Sequence, residues 1–132
     1  MIDTFKPKLD LPTKANFKTT LPLLGGADLS FWLALAAKSE ERLIVMIANH
    51  QNELNQLDTE LSFFGIDAHV FPDWEILAYD QLSVHQDIIS ERIALLTRMP
   101  TTGVLLVSTQ TLMQRIAPPS WLIGQHFDLA VG

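Results

Sequence analysis

The run RLIVMIA, residues 42–48, decides the fold of this chain. It is almost continuously apolar and rich in branched side chains, which is typical of a strand buried on both faces. A second run of this kind is VLLV at residues 104–107, and the shorter AHVF at residues 68–71 reads as a third strand closed by Pro72. Strands of this type occur in parallel sheets, whose faces are covered by helices.

Amphipathic segments separate these strands. One helix is predicted to begin after Asn49 as its N-cap and to end near Gly65. Its inward face carries Leu54, Leu57, Leu61 and Phe64. An earlier helix is predicted after Asp28 as its N-cap, with apolar residues at helical spacing. These residues are Leu29, Trp32, Leu33 and Ala36. The alternation predicts an α/β domain in which a parallel sheet is flanked by helices on both faces.

Two more helices are predicted in the second half of the chain. Ser83 and Gln86 have the spacing of a capping box. The helix after them carries Ile89, Ile93 and Leu96 on one face. Ser108 or Thr109 is expected to cap a short helix. Its inward residues are expected to be Leu112, Met113 and Ile116.

The two ends of the chain differ in character. Residues 1–18 are mixed in charge and read as an N-terminal arm, so we place the domain at residues 19–132. Residues 20–24 read as a first strand, and residues 126–131 read as a last one in which the chain ends. A domain does not normally end in the middle of a sheet, and we therefore expect a fragment of a longer protein.

Composition limits the possible functions. The net charge is −6, from 9 Lys and Arg against 15 Asp and Glu, and 48% of the 132 residues are hydrophobic. This content argues against disorder, and the negative charge disfavours nucleic acid, because phosphate binding depends on Lys and Arg. The chain has no cysteine, which excludes disulfides and thiolate metal sites. It shows neither a signal peptide nor an apolar run of about 18 residues, and we expect a cytoplasmic protein.

The most distinctive stretch is FPDWEILAYDQLSVHQDIISER, residues 71–92. This connection is longer than usual for a parallel sheet and mixes aromatic with acidic residues, which is typical of a functional loop. Trp74 and Tyr79 either pack the loop onto the sheet or contact a partner, since Trp and Tyr dominate interface energetics. The candidate interface residues are Trp74, Glu75, Tyr79, Asp80, His85 and Arg92.

The carboxylates of this region allow more than one interpretation. They are Asp73, Glu75, Asp80, Asp87 and Glu91. They could form an acid–base pair or a metal cluster, but we favour a solvated acidic rim, with Arg92 and Arg98 pairing with the loop carboxylates. No histidine has H-x₃-H or H-E-x-x-H spacing, and no serine lies in a G-x-S-x-G turn. A metal site therefore has little support, and hydrolase chemistry has no anchoring motif.

The turn at Gly25 and Gly26 is where a doubly wound sheet would bind phosphate. A P-loop, G-x-x-x-x-G-K-[ST], needs lysine for the phosphate charge and a hydroxyl for Mg²⁺. Counting from either glycine puts Phe31 or Trp32 at the lysine position, and Asp28 adds a negative charge. We therefore predict a degenerate P-loop, and no catalytic, cofactor or metal site in this chain.

Residues 71–122 resemble the N-terminal part of the bacterial transcription-repair coupling factors (Mfd). That family has the pattern F-P-x-W-E-x-L-P-Y, then S-P-H, an Arg-bearing helix, a strand and T-L-x-Q-R-x-x-P. The matching residues here are Phe71, Pro72, Trp74, Glu75, Leu77, Tyr79, Ser83, His85, Arg92, Thr111, Leu112, Gln114, Arg115 and Pro118. Ala78 and Val84 depart from it, because the family usually has proline there. A weaker likeness begins near Leu21.

The resemblance implies a degenerate helicase-like, RecA-like fold, similar to domain 1a of the excision-repair protein UvrB. The parent would be an ATP-dependent DNA translocase that removes stalled RNA polymerase at lesions and recruits UvrA. ATP, Mg²⁺ and DNA would bind its motor domains. This segment would be a non-catalytic scaffold that contacts the C-terminal domains and a UvrA-binding domain inserted after about Gly132. The alternative is a free-standing α/β enzyme or nucleotide-binding domain that uses Asp73, Glu75 and His85.

Overall fold

The computed structural model describes residues 25–74 and 86–116, together with residues 11, 14, 15, 17, 18, 20, 118, 120 and 121. Helices and strands alternate along these residues. In chain order they are α1 (Ala27–Ser39), β1 (Leu43–Ala48), α2 (Gln51–Phe63), β2 (Ala68–Val70), α3 (Gln86–Thr97), β3 (Gly103–Ser108) and α4 (Thr109–Leu112). The three strands are parallel in the order β1-β3-β2, so β3 lies in the centre. The predicted α/β fold is confirmed.

One face of the sheet packs against α1 and α2. Its buried core combines apolar residues of both helices with alternate residues of the strands, because successive side chains of a strand point to opposite faces. The buried members are Leu33, Ala34, Ala48, Leu54, Leu57, Leu61, Val104 and Leu106. Four of the predicted inward residues belong to this core, three pack at its margin and one is buried outside it. They are, in that order, Leu33, Leu54, Leu57 and Leu61, then Leu29, Trp32 and Phe64, and then Ala36.

The opposite face is covered only in part. Leu105, Val107 and Phe71 are buried there, and Leu95 and Leu96 of α3 pack against them. β3 is therefore enclosed on both faces, as predicted. For β1 that prediction is wrong: on this face its side chains at positions 45 and 47 are 49% and 52% exposed. β1 forms one margin of the described sheet, and α3 packs on the part formed by β3 and the residue after β2.

The predicted N-caps of α1 and α2 are both wrong. The N-cap of α1 is Gly26, with φ 57°, and Asp28 lies in the first turn without capping it. The N-cap of α2 is His50 rather than Asn49. The backbone N–H of Asn49 donates a hydrogen bond to Glu53 Oε2 at 3.2 Å. At the other end, Gly65 has φ 73° and follows the last turn of α2, which confirms the predicted stop.

α4 begins as predicted, but its apolar side chains do not face inward. The Ser108 hydroxyl accepts a hydrogen bond from the backbone N–H of Thr111, which makes Ser108 the N-cap. Thr111 is the buried residue of the helix, whereas Leu112, Met113 and Ile116 are exposed. Because the helix ends at Leu112, residues 113 and 116 do not share its inner face.

Several predictions lie outside the described residues. They include most of the strand at 20–24, the strand at 126–131, the capping serine at position 83, and most of the arm at 1–18. The proposed boundary at residue 19 therefore stays a prediction. None of the described helices combines the length and the apolar content that a bilayer-crossing helix needs.

Candidate functional site

The carboxyl ends of the parallel strands lie at one edge of the sheet, which is where open α/β sheets bind ligands. α4 follows β3 at this edge and contacts the end of β1, because the Thr109 hydroxyl donates to the Ala48 carbonyl at 3.1 Å. The four residues Phe71–Trp74 follow β2 at the same edge, and Phe71 N–H donates to the Leu106 carbonyl at 2.8 Å. The segments after β2 and β3 are thus fixed to the sheet.

Arg92 of α3 is the central side chain of this region. It is only 3% exposed, and its guanidinium carbon lies 4.7 Å from the centroid of the Phe71 ring and 4.1 Å from that of the Trp74 ring. Its Nη1 donates to the Pro72 carbonyl at 2.6 Å. Burial lowers the pKa of Arg92 and the charge of Asp73 opposes that shift. Arginine suits this position because its planar cation stacks on aromatic faces.

The carboxylate of Asp73 connects the turn after β2 to the turn after α4. Its Oδ1 accepts the backbone N–H of Trp74 at 2.7 Å and the Gln114 side-chain amide at 2.9 Å. We call Phe71, Pro72, Asp73, Trp74, Arg92 and Gln114 the Arg92 cluster. Every member is at least partly shielded from solvent. The cluster joins three separate segments through one cation, two rings and two hydrogen bonds.

The structure brings together two of the predicted interface residues, Trp74 and Arg92. The predicted pairing of Arg92 and Arg98 with loop carboxylates stays a prediction, because Glu75 and Asp80 lie outside the described residues. Among the described residues, Arg92 contacts two rings and a backbone carbonyl, and Asp73 acts on it through its charge. The remaining candidates, Glu75, Tyr79, Asp80 and His85, lie outside the described residues.

The sequence contained a signal for the inward position of Arg92 that the prediction did not use. Arg92 follows Ile88 by four residues and precedes Leu95 by three, so helical spacing puts it on the apolar face of α3. A charge on such a face indicates a specific partner, since burying an unpaired charge is costly. The role of Gln114 had no comparable signal, because its partner Asp73 is distant in sequence.

The turn before α1 has no cationic side chain on the first turn of the helix. Asp28 occupies that turn. Phe31, at the lysine position of one P-loop register, packs its ring against Phe64 of α2 with centroids 5.6 Å apart. Ser30 is fully buried and donates a hydrogen bond to Glu60, and this bond is the main reason that the pKa of Glu60 lies below its usual value. The start of α1 is thus occupied by contacts to α2.

The acidic and histidine side chains do not form a metal-binding cluster in the described part of the molecule. Within it, no three His, Asp or Glu residues lie close enough to hold a metal ion. His50 is exposed at the start of α2, and His69 is exposed on β2. Neither belongs to the Arg92 cluster.

Comparison with known proteins finds two similar sequences. No protein-family model matches the chain. A transcription-repair-coupling factor from Escherichia coli is 42% identical to it over 126 residues, which cover 92% of this chain and 11% of that protein. One from Haemophilus influenzae is 35% identical over 132 residues, which cover 96% of this chain and 11% of that protein.

The chain is homologous to the transcription-repair-coupling factors. The resemblance carried by residues 71–122 is thereby confirmed, and the UvrB-like assignment of the α/β fold agrees with it. The chain spans about a tenth of the length of the two coupling factors, 11% in each case.

Proposed function

We propose that this chain is a non-catalytic scaffold in the UvrA-recruiting part of a transcription-repair-coupling factor. In this proposal the whole protein is a cytoplasmic, ATP-dependent DNA translocase that removes stalled RNA polymerase at lesions and recruits UvrA. ATP and Mg²⁺ bind its motor domains and not this segment. The observation that carries the non-catalytic role is the packing of Phe31 against Phe64 where a P-loop would place its phosphate-binding lysine.

Electrostatics at the start of α1 supports this role. A helix N-terminus attracts anions through its free N–H groups, but a triphosphate carries several negative charges and needs cations beside it. The first turn of α1 supplies Asp28 instead. The buried Ser30 hydroxyl is directed to Glu60, which stays ionised more readily because of that bond. Both carboxylates would oppose a phosphate group at this position.

The contacts at the carboxyl ends of the strands also support the proposed scaffold role. The turn after α4 and the turn after β2 are joined at this edge by the bond from Gln114 to Asp73. Asp73, one of the residues that the alternative enzyme would use, already accepts two hydrogen bonds on one oxygen. We infer that the edge positions the segment beginning at Trp74, and that Trp74, Glu75, Tyr79, Asp80 and His85 contact the inserted or C-terminal domains.

Thermal unfolding with nucleotide tests the non-catalytic role. We expect Mg²⁺–ATP to leave the melting temperature of the chain unchanged, and Mg²⁺ with pyrophosphate serves as the control for unspecific anion binding. A nucleotide present at a hundred times its Kd would add about 2.7 kcal/mol. For a domain of this size that corresponds to roughly 5–15 °C. A shift of that size with ATP and not with pyrophosphate would overturn the proposal.

A binding experiment tests the recruiting role. In the full-length protein, we expect Trp74→Ala to weaken repair of the transcribed strand or UvrA binding, while DNA-dependent ATPase activity is retained. Phe63→Ala is the matched control, because Phe63 is an exposed ring on α2, which covers the other face of the sheet. If Trp74→Ala behaves like Phe63→Ala in both assays, the turn after β2 is not part of the contact surface.

A further inference from the structure

α3 is attached to the sheet differently from α1 and α2. Those two helices bury apolar side chains completely, for example Leu33 in α1 and Leu54 in α2. In α3 the only fully buried residue is Arg92, and its leucines at positions 95 and 96 are only partly buried. A charged side chain therefore occupies the place that an apolar residue takes in the other helices.

Arg92 makes its contacts outside its own helix. The guanidinium stacks on the rings of Phe71 and Trp74 and donates to the Pro72 carbonyl, and all three residues belong to the turn after β2. These interactions depend on the planar shape of the cation and on exclusion of water. They are lost together once the guanidinium leaves the two rings. The fully buried part of the α3 attachment is thus made by one side chain, and Leu95 and Leu96 add partly buried apolar contacts.

We propose that α3 detaches from the sheet as a local unit while β1, β3, α1 and α2 stay folded, and that Arg92 determines how often it does so. Elements with few buried apolar contacts open at lower free energy than the core around them. Detachment uncovers Leu105 and Val107, which lie on the same face as the already exposed Val45 and Ile47. It also separates the Trp74 ring from the guanidinium, so that the turn after β2 loses its contact with α3 in the same step.

Hydrogen exchange of the complete chain, followed by mass spectrometry over a series of low urea concentrations, tests this inference. We expect the amides of residues 91–97 to exchange faster than those of α2 and β3, and with little dependence on urea, as local opening requires. Arg92→Lys keeps the charge but loses the planar stack. It should accelerate exchange in α3 by about tenfold or more, and should leave α2 and β3 within about twofold of the wild type.

Glu91→Gln is the matched control, because Glu91 is the exposed neighbour of Arg92 on the same helix. It should leave exchange in α3 unchanged. If the lysine variant does not fold, the wild-type exchange pattern and Trp74→Leu, which removes one ring of the stack, decide the question. The inference is overturned if α3 exchanges together with β3 in the wild type. It is also overturned if the Arg92 or Trp74 variant accelerates all segments equally, or none.

Discussion

Replacing Val107 with alanine should lower the free energy of unfolding much more than the same replacement at Val45. The two valines lie on the same face of the sheet in neighbouring strands, since Val45 is paired with Leu105 and Ile47 with Val107. They differ in burial: Val107 is 3% exposed and Val45 is 49% exposed. The chemical change and the loss of strand propensity are the same at both positions, so burial is the main variable.

The magnitudes follow from the carbon atoms removed. Valine to alanine removes two methyl-sized groups, worth about 1.6 kcal/mol when fully buried at about 0.8 kcal/mol each. The cavity left beneath α3 raises the cost at Val107 to about 2–2.5 kcal/mol. At Val45, half of the side chain is already in water and no closed cavity forms, so we expect about 0.8 kcal/mol. The difference of about 1.5 kcal/mol is roughly tenfold in the equilibrium constant of unfolding.

Urea denaturation followed by circular dichroism measures this difference. With a slope of about 1–3 kcal/mol per molar urea, the midpoints of the two variants should differ by about 0.5–1.5 M. The slopes themselves should agree, because both variants expose the same surface on unfolding. Equal midpoints would refute the reasoning, since they would mean that the outer face of β1 is covered as completely as that of β3.

Three further predictions concern polar contacts. Gln114→Leu should lower stability by about 1–2 kcal/mol, because Asp73 loses a hydrogen bond. Ser108→Ala should cost about 1–2 kcal/mol through loss of the α4 N-cap. The pKa of Glu60 is lower in the folded state than in the unfolded chain. The ionised carboxylate therefore stabilises the fold above about pH 4.5, and this contribution is lost as the pH falls through the folded-state pKa. Ser30→Ala should therefore lower the free energy of unfolding at neutral pH. In acid, the difference in free energy of unfolding between wild type and variant should become smaller. Urea denaturation checks all three, at two pH values for the last.

Each of these predictions has a control. Gln110→Leu changes an exposed glutamine on α4 and should be nearly neutral. Ser90→Ala removes an exposed hydroxyl that bonds only within α3, so a cost as large as that of Ser108→Ala would contradict the capping role. For Glu60, a gap between wild type and Ser30→Ala that is equally wide in acid and at neutral pH would show that the carboxylate does not depend on the serine.

The strands could be predicted because their signal is local. Residues 43–48 and 103–108 are continuous in sequence, and a run of branched apolar residues bounded by turn residues fixes a strand without knowledge of its neighbours. The exposure of Val45 could not be predicted in this way. It depends on the strand order β1-β3-β2, which is a long-range property that no single run contains.

Only two members of the Arg92 cluster, Trp74 and Arg92, were predicted as interface residues, and their contact with each other was not predicted. For the arginine, charge alone suggested carboxylate partners. The structure pairs it with aromatic faces, because burial removes the water that would otherwise solvate it and favours a stacked, weakly hydrated cation. The inward face predicted for the short helix α4 was also wrong. One turn is too short for the apolar spacing of Leu112 and Ile116 to define a buried face.

The central position of β3 has a consequence for the order in which the chain acquires structure. Within the described sheet, β1 and β2 pair with β3 and not with each other, although β3 is the last of the three to be synthesised. A nascent chain that has emerged from the ribosome only as far as residue 100 thus holds two strands without their common partner. Pairing over such sequence separations is slow, and unpaired apolar strands aggregate. Protection by a chaperone matters most during that interval, before residues 103–108 are in place.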